Sequence, residues 1–170
     1  MIEWWDLYNE QDEPLGSEIR RGRRLGKGRY HRVAEGWVRT PDGHYLLQRR
    51  SAKKKSYPLY WTASAVGAVL RGEAPEEAMI REIFEELGLK VRPEDLKLSL
   101  KITEHPAHYY IYKIEMDVKK EDIILDPEEV EDATFLTYET LCSWLREGKL
   151  LNLDYYRDFF KNWELERNRQ

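Results

Sequence analysis

The segment from Pro75 to Leu87 restricts this chain more than any other, because apolar and acidic residues recur in it together at helical spacing. Ile80, Ile83, Phe84 and Leu87 stand at i, i+3, i+4 and i+7, which predicts a helix with one buried stripe. Pro75 suits the first turn, where its missing N–H costs nothing. Gly88 follows the last apolar position, as a C-cap does. Glu82, Glu85 and Glu86 stand at i, i+3 and i+4 and converge on a face read as opposite the stripe. Like charges this close weaken a helix by about 0.2–0.5 kcal/mol per pair. A hard divalent cation offsets that repulsion, and Mg²⁺ takes oxygen ligands while bridging to phosphate. Ala78, on the carboxylate side, is expected to leave room above the acids. Arg81 is expected to hold the preceding loop by pairing with Glu85 or Glu73. Taken alone, glutamates on one helix face are most simply solvated.

The flanking sequence reads as strands first and further helices later. Val33 to Val38 and His44 to Gln48 form a hairpin around the turn Thr40-Pro41-Asp42-Gly43. Trp61 to Val69 is apolar with small residues and is expected to be one buried strand running into a bend at Gly67. Leu96 to Thr103 and Tyr109 to Val118 are further strands. Thr137 to Arg146 and Asp154 to Glu166 are helices, the last with Tyr156, Phe159, Phe160 and Trp163 at helical spacing. That order predicts an α/β chain with a mixed sheet and helices packed on it. The 170 residues are expected to form one domain. Residues 1–30 would be an N-terminal hairpin or arm, and residues 150–170 would hold the C-terminal helix.

More positions are specified than the three acids. Gly67, five residues, Glu73, seven residues, then Arg81-Glu82-Ile83-Phe84-Glu85-Glu86-Leu87-Gly88-Leu89 matches the Nudix box without a gap. The chain therefore resembles the Nudix hydrolases. The resemblance implies a Nudix-type α/β/α sandwich around a mixed sheet. It implies hydrolysis of a diphosphate bond in a nucleoside diphosphate derivative or a similar small phosphorylated substrate. Carried onto this chain, it makes Glu82, Glu85 and Glu86 the metal-binding carboxylates, with Gly67 as the loop position whose carbonyl joins them. Mg²⁺ is the implied cofactor, with Mn²⁺ as an alternative. The general base would be Glu85, with Glu104, Glu128 and Glu129 as alternatives from later loops. Where many members have two glycines, this chain has Gly67-Ala68.

The surroundings of the box also resemble isopentenyl-diphosphate isomerases, through Leu46 to Ser51, the lysines at 53 to 55, and Pro58 through Trp61-Thr62. The isomerase reaction needs a cysteine just before the box glycine and usually has a histidine just after it. Here those positions are Val66 and Ala68, and valine moves no proton. A member of an isomerase-like branch of the Nudix hydrolases is the reading, against isomerase-like activity or a non-catalytic nucleotide-binding module.

Composition excludes little else. Basic and acidic residues nearly balance, 28 against 32, so nothing calls for a nucleic-acid or membrane partner. The single cysteine, Cys142, rules out an internal disulfide and fits a reducing, cytosolic setting. Arg20 to Arg32 is basic and glycine-rich, and for most of these residues a solvated loop is the simpler reading. Guanidinium forks nonetheless suit phosphate oxygens. Arg49 and Arg50, at a strand end near the expected site, are the first choices for substrate binding. Tyr57, Tyr60, Trp61 and Tyr109 could stack on a base, although packing is the default for Trp61. Trp4 and Trp5 pack either on their own domain or on a second subunit, which leaves a homodimer open.

Overall fold

The structure is a computed structural model that describes residues 2–151, 153–167 and 169. Within the segment expected to hold the last helix, positions 152, 168 and 170 lie outside the described residues, as does position 1 of the expected arm. The strands are β1 (Trp4–Tyr8), β2 (Pro14–Arg20), β3 (His31–Arg39), β4 (Tyr45–Arg50), β5 (Trp61–Thr62), β6 (Ala65–Ala68), β7 (Leu96–Glu104), β8 (Ala107–Glu115) and β9 (Val130–Leu136). The helices are α1 (Pro75–Leu87), α2 (Tyr138–Glu147) and α3 (Tyr156–Arg167).

Seven strands make one mixed sheet in the order β5-β4-β3-β8-β7, with β6 also on β3 and β9 on β4. β3 and β8 run parallel, from His31 opposite Ala107 to Arg39 opposite Glu115. The other pairings in this sheet are antiparallel. Alternation along β3 sends Ala34 and Val38 into a core shared with α1, and Trp37 into a second core shared with α2 and α3. The result is an α/β/α sandwich.

The apolar segment expected to be one strand is instead two short ones, and Ser64 explains the break. β3 pairs with β4 only at Val38–Leu46 and Arg39–Tyr45, after which the strands part. β6 then pairs with β3, and β5 with β4. At the fork the fully buried Ser64 hydroxyl accepts the Val38 N–H at 2.8 Å and donates to the Leu46 carbonyl. It satisfies two backbone groups that the parting strands would otherwise leave unpaired.

Helix α1 differs from its expected orientation. Its buried residues are Pro75, Ala78, Met79, Ile83, Glu86 and Leu87. Phe84 is 52% exposed and Ile80 only half-buried. Ala78, expected on the carboxylate side, is instead fully buried in the core. The cause lies in the opposing surface. Met79 fits over Gly36 of β3, where an added Cβ would come within 2.6 Å of its sulfur. That contact turns Met79, Ile83 and Glu86 toward the sheet and Phe84 outward. Gly88, at φ 70°, closes the helix by donating to the Phe84 carbonyl.

On the opposite face, Tyr156, Phe159, Phe160 and Trp163 of α3 are all buried, at the spacing expected from sequence. Trp37 meets Phe160 edge-on at 4.7 Å, and Tyr45 meets Trp163 at 5.4 Å. β1 and β2 form a separate two-stranded hairpin. Trp5 stacks on His31 of its own chain at 4.1 Å, while Trp4 stays 41% exposed.

Candidate active site

The carboxylates of α1 open onto a cavity of about 180 Å³. Glu82, Glu85 and Glu86 form one wall, and the backbone of Val66 to Ala68 forms the floor. Asp126 and Glu129 reach in from the loop before β9. Arg21 and Lys54 bring positive charge from two further segments. A wider hollow of about 590 Å³ lies beside Arg24 to Gly28, Tyr30 and His105. No carboxylate lines it, so the chemistry predicted from sequence belongs to the smaller one.

Glu86 is 3% exposed, and its Oε2 accepts from Gln48 Nε2 at 2.7 Å and from the Val66 N–H at 3.2 Å. Burial pushes its pKa up to about 8, nearby Glu82 adds to the rise, and the two hydrogen bonds oppose it. Glu82 is also raised, chiefly by burial, with Arg81 pulling the other way. Both acids face inward between helix and sheet, where burial disfavours their charged form. Glu85 is different, with its side chain 54% exposed.

Arg81 ties these parts together. Its Nε and Nη2 bond to Glu73 at 2.8 and 2.9 Å, and Nη2 also reaches the Ala68 carbonyl at 3.1 Å. Nη1 meets Glu82 at 2.6 Å and Glu85 at 3.2 Å. Glu73 in turn accepts the Leu70 N–H at 2.9 Å. The loop from Gly67 to Glu73 is thereby fastened to the helix, and these charged partners hold the Arg81 pKa above its ordinary value. Gly67 is needed for closeness. A Cβ there would lie 1.9 Å from the Glu82 carboxyl carbon.

Among the described residues, no three His, Cys, Asp or Glu side chains already stand as a metal-ligand set. Arg81 draws Glu82 and Glu85 to itself, while Gln48 and Val66 hold Glu86. The donors still fit a hard divalent cation. They are carboxylate oxygens, two of them are buried with raised pKa values, and the floor beside Glu82 lacks a side chain.

Strand alternation separates the two arginines expected to bind substrate. Gln48 points to Glu86, so Arg49 points to the other face and Arg50 returns to the first. Neither Arg49 nor Arg50 lines the carboxylate cavity, and the buried Nε of Arg49 has no partner among the described residues. Arg50 donates to the Ser56 carbonyl at 3.0 Å. Its pKa is lowered by burial, and Glu86 and Glu129 oppose that shift.

Of the alternative bases, Glu129 lines the cavity and pairs with Lys54. Glu128 pairs with Lys53 outside it. Glu104 closes the β7–β8 pairing opposite Ala107 and does not line it either. Sequence reasoning had not singled out Gln48, Asp126, Glu3 or Arg21. Only Gln48 carried a usable signal, as a polar residue directly after Leu46 and Leu47 in a predicted strand.

A family model described as NUDIX domain matches residues 29–159. This chain belongs to the Nudix family. A relative from Listeria monocytogenes, named an uncharacterized Nudix hydrolase, is 34% identical and covers 94% of each chain. An isopentenyl-diphosphate Delta-isomerase from Salmonella arizonae is 38% identical over 85 residues, about half of each chain. Among solved structures, the Deinococcus radiodurans protein DR0079 superposes with a TM-score of 0.75 at 26% identity, covering 94% of this chain and 98% of its own. Nudix hydrolases generally use divalent metal ions, which agrees with the oxygen-rich donor set on α1. No helix among the described residues is long and apolar enough to cross a membrane.

Proposed function

We propose that this Nudix protein is a Mg²⁺-dependent hydrolase, with Mn²⁺ as an alternative ion, that cleaves the diphosphate bond of a nucleoside diphosphate derivative or similar small substrate. The observation that carries the reading is the pairing of two largely buried acids, Glu82 and Glu86, with Arg21 and Lys54 around one small cavity. The acids would hold the cation, and the bases would hold phosphate oxygens. When bound, the ion supplies charge neutralisation at the diphosphate and makes water more acidic.

The remaining work falls to the protein. Gln48 orients Glu86, and Arg81 orients Glu82. Glu85 is the assigned base, because it is exposed enough to meet water while Arg81 steadies it. Water attacks phosphorus, its proton passes to Glu85, and the bond from phosphorus to the bridging oxygen breaks. Tyr57 and Tyr60, both exposed and meeting edge-on at 5.8 Å, stand on the loop that supplies Lys54 and support a base-bearing leaving group. The partial likeness to the isomerase does not favour isomerisation, since aliphatic Val66 precedes Gly67.

The test is release of phosphomonoester products, read as inorganic phosphate after a coupled phosphatase, across a panel of nucleoside diphosphate compounds with Mg²⁺. Glu82→Gln and Glu86→Gln should each lower kcat/KM by roughly a hundredfold or more, which corresponds to about 3 kcal/mol. Unchanged turnover in both would remove the metal-site assignment. Glu85→Gln should lower kcat by more than it weakens metal binding, because Glu85 is the most exposed of the three metal-binding candidates and is proposed to act chiefly as the base. If Glu129→Gln does this instead, the base is Glu129.

A further inference from the structure

The family match begins at residue 29, so the β1–β2 hairpin and the segment after it lie before the matched region. This hairpin is fixed at both ends. At its tip, Asp12 accepts from Arg32 Nε at 2.8 Å, meets Lys101 Nζ at 3.1 Å and takes the Tyr110 hydroxyl. The Asn9 carbonyl meets His108 Nε2 at 2.7 Å. At the other end, the Trp4 carbonyl accepts the Arg71 N–H at 2.8 Å, and Asp6 accepts the Gly72 N–H at 2.8 Å. The hairpin therefore grips the main sheet with its tip and the loop leading into α1 with its base.

This double anchorage sets Arg21, the first residue after β2, at the carboxylate cavity. Glu3 lines the same cavity. The Arg21 N–H donates to the Glu3 carbonyl at 3.0 Å, and Arg21 Nη1 meets Glu3 Oε2 at 2.5 Å. The two side chains are 51% and 34% exposed. A pair that open to water is weak and readily exchanged. A phosphate group offers the guanidinium a more highly charged, bidentate partner. The neighbouring arginines are placed otherwise, since Arg24 lines the separate hollow and Arg23 lines neither.

We propose that Arg21 is a substrate-binding residue that the N-terminal hairpin adds to the Nudix site, gripping phosphoryl oxygens of the diphosphate, with Glu3 as its resting partner. The proposal rests on the diphosphate-hydrolase reading above. Binding of inorganic pyrophosphate in the presence of Mg²⁺ is measured by calorimetry, alongside steady-state kinetics on a substrate the wild type turns over. Arg21→Ala should weaken pyrophosphate binding about tenfold or more and raise KM in proportion, with kcat within about twofold. Arg21→Lys should recover part of the loss. Glu3→Gln should tighten binding by about twofold to fivefold, and Arg23→Ala should stay within about twofold of wild type. Melting temperatures of the variants separate a binding loss from a folding loss.

Wild-type binding by Arg21→Ala, or an equal loss in Arg23→Ala, overturns the role of Arg21 and leaves the hydrolase reading standing. A wild type that neither binds pyrophosphate nor hydrolyses any diphosphate removes both.

Discussion

Gly67 and Glu82 show how narrow the tolerances are at the scale of single residues. The floor of the cavity passes so close to the Glu82 carboxylate that any side chain at position 67 must displace it. The obstructing atoms belong to the tip of a flexible side chain, so the backbone can stay where it is. Gly67→Ala should therefore leave the fold nearly as stable as wild type, within about 1 kcal/mol. Activity should fall by about tenfold or more, because the carboxylate moves out of register with Glu86. Thermal melts and kcat/KM measured on the same preparation check this. A drop in melting temperature that matches the drop in activity would point to general loosening instead. Arg81 belongs to the same scale, since one side chain joins Glu73, Glu82, Glu85 and the Ala68 carbonyl.

For whole elements, the rotation of α1 about its axis decides what the helix can offer. With Met79 over Gly36, the buried arc runs through Ala78, Met79, Ile83 and Leu87 and carries Glu86 in with it. Phe84 is left in solvent at 52% exposure. Phe84→Ser should change folding stability by less than about 0.5 kcal/mol, as expected for a surface position. Met79→Ala should cost about 2–5 kcal/mol, the range for emptying a core methionine site. Urea unfolding of both variants tests the orientation directly. A large loss from the Phe84 change and a small one from the Met79 change would mean the helix sits the other way round. The same rotation explains why the α1 acids are not equivalent. Glu86 is enclosed and Glu82 mostly so, whereas Glu85 reaches water.

Across the whole molecule, the two faces of the sheet are chemically unlike. The α1 face carries the candidate active site. The α3 face is sealed by aromatic side chains, with one buried acid among them, Glu35. It accepts from Trp37 Nε1 at 2.7 Å and from the Tyr155 hydroxyl at 2.9 Å, so it links β3 to the segment entering α3. Burial pushes its pKa up to about 7, with those hydrogen bonds opposing the rise. The ordinary carboxyl value is 4.5, so between about 4.5 and 7 the folded state holds a proton that the unfolded chain releases. The stabilisation this provides is complete below the lower value and is lost as pH rises through the upper one. The slope is on the order of 1 kcal/mol per pH unit. Glu35→Gln cannot ionise and should keep the neutral form's hydrogen bonds. Its stability relative to wild type should rise from pH 5 to pH 7.5 and then level off. Denaturant titrations at a series of pH values check this, and a constant difference between the two proteins would contradict it.

The spacing from Gly67 to Leu89 was enough to identify the box, the helix that carries it and the three acids it presents. Each of these depends on residues close together in the chain, where helical geometry dictates the relation. The aromatic spacing of α3 was legible for the same reason, and so was the order of strands and helices. The tertiary structure alone decided which side of α1 faces inward, because that depends on the depression at Gly36, far away in sequence. Strand alternation, once Gln48 was seen to meet Glu86, sent Arg49 to the opposite face from Arg50. Arg21 stood in a run of similar arginines with nothing local to mark it. It reaches the cavity through Asp12, Asp6 and the Trp4 carbonyl, whose partners come from β3, β7, β8 and the loop before α1. Contacts made by folding distant segments together leave no periodic trace in any one of them.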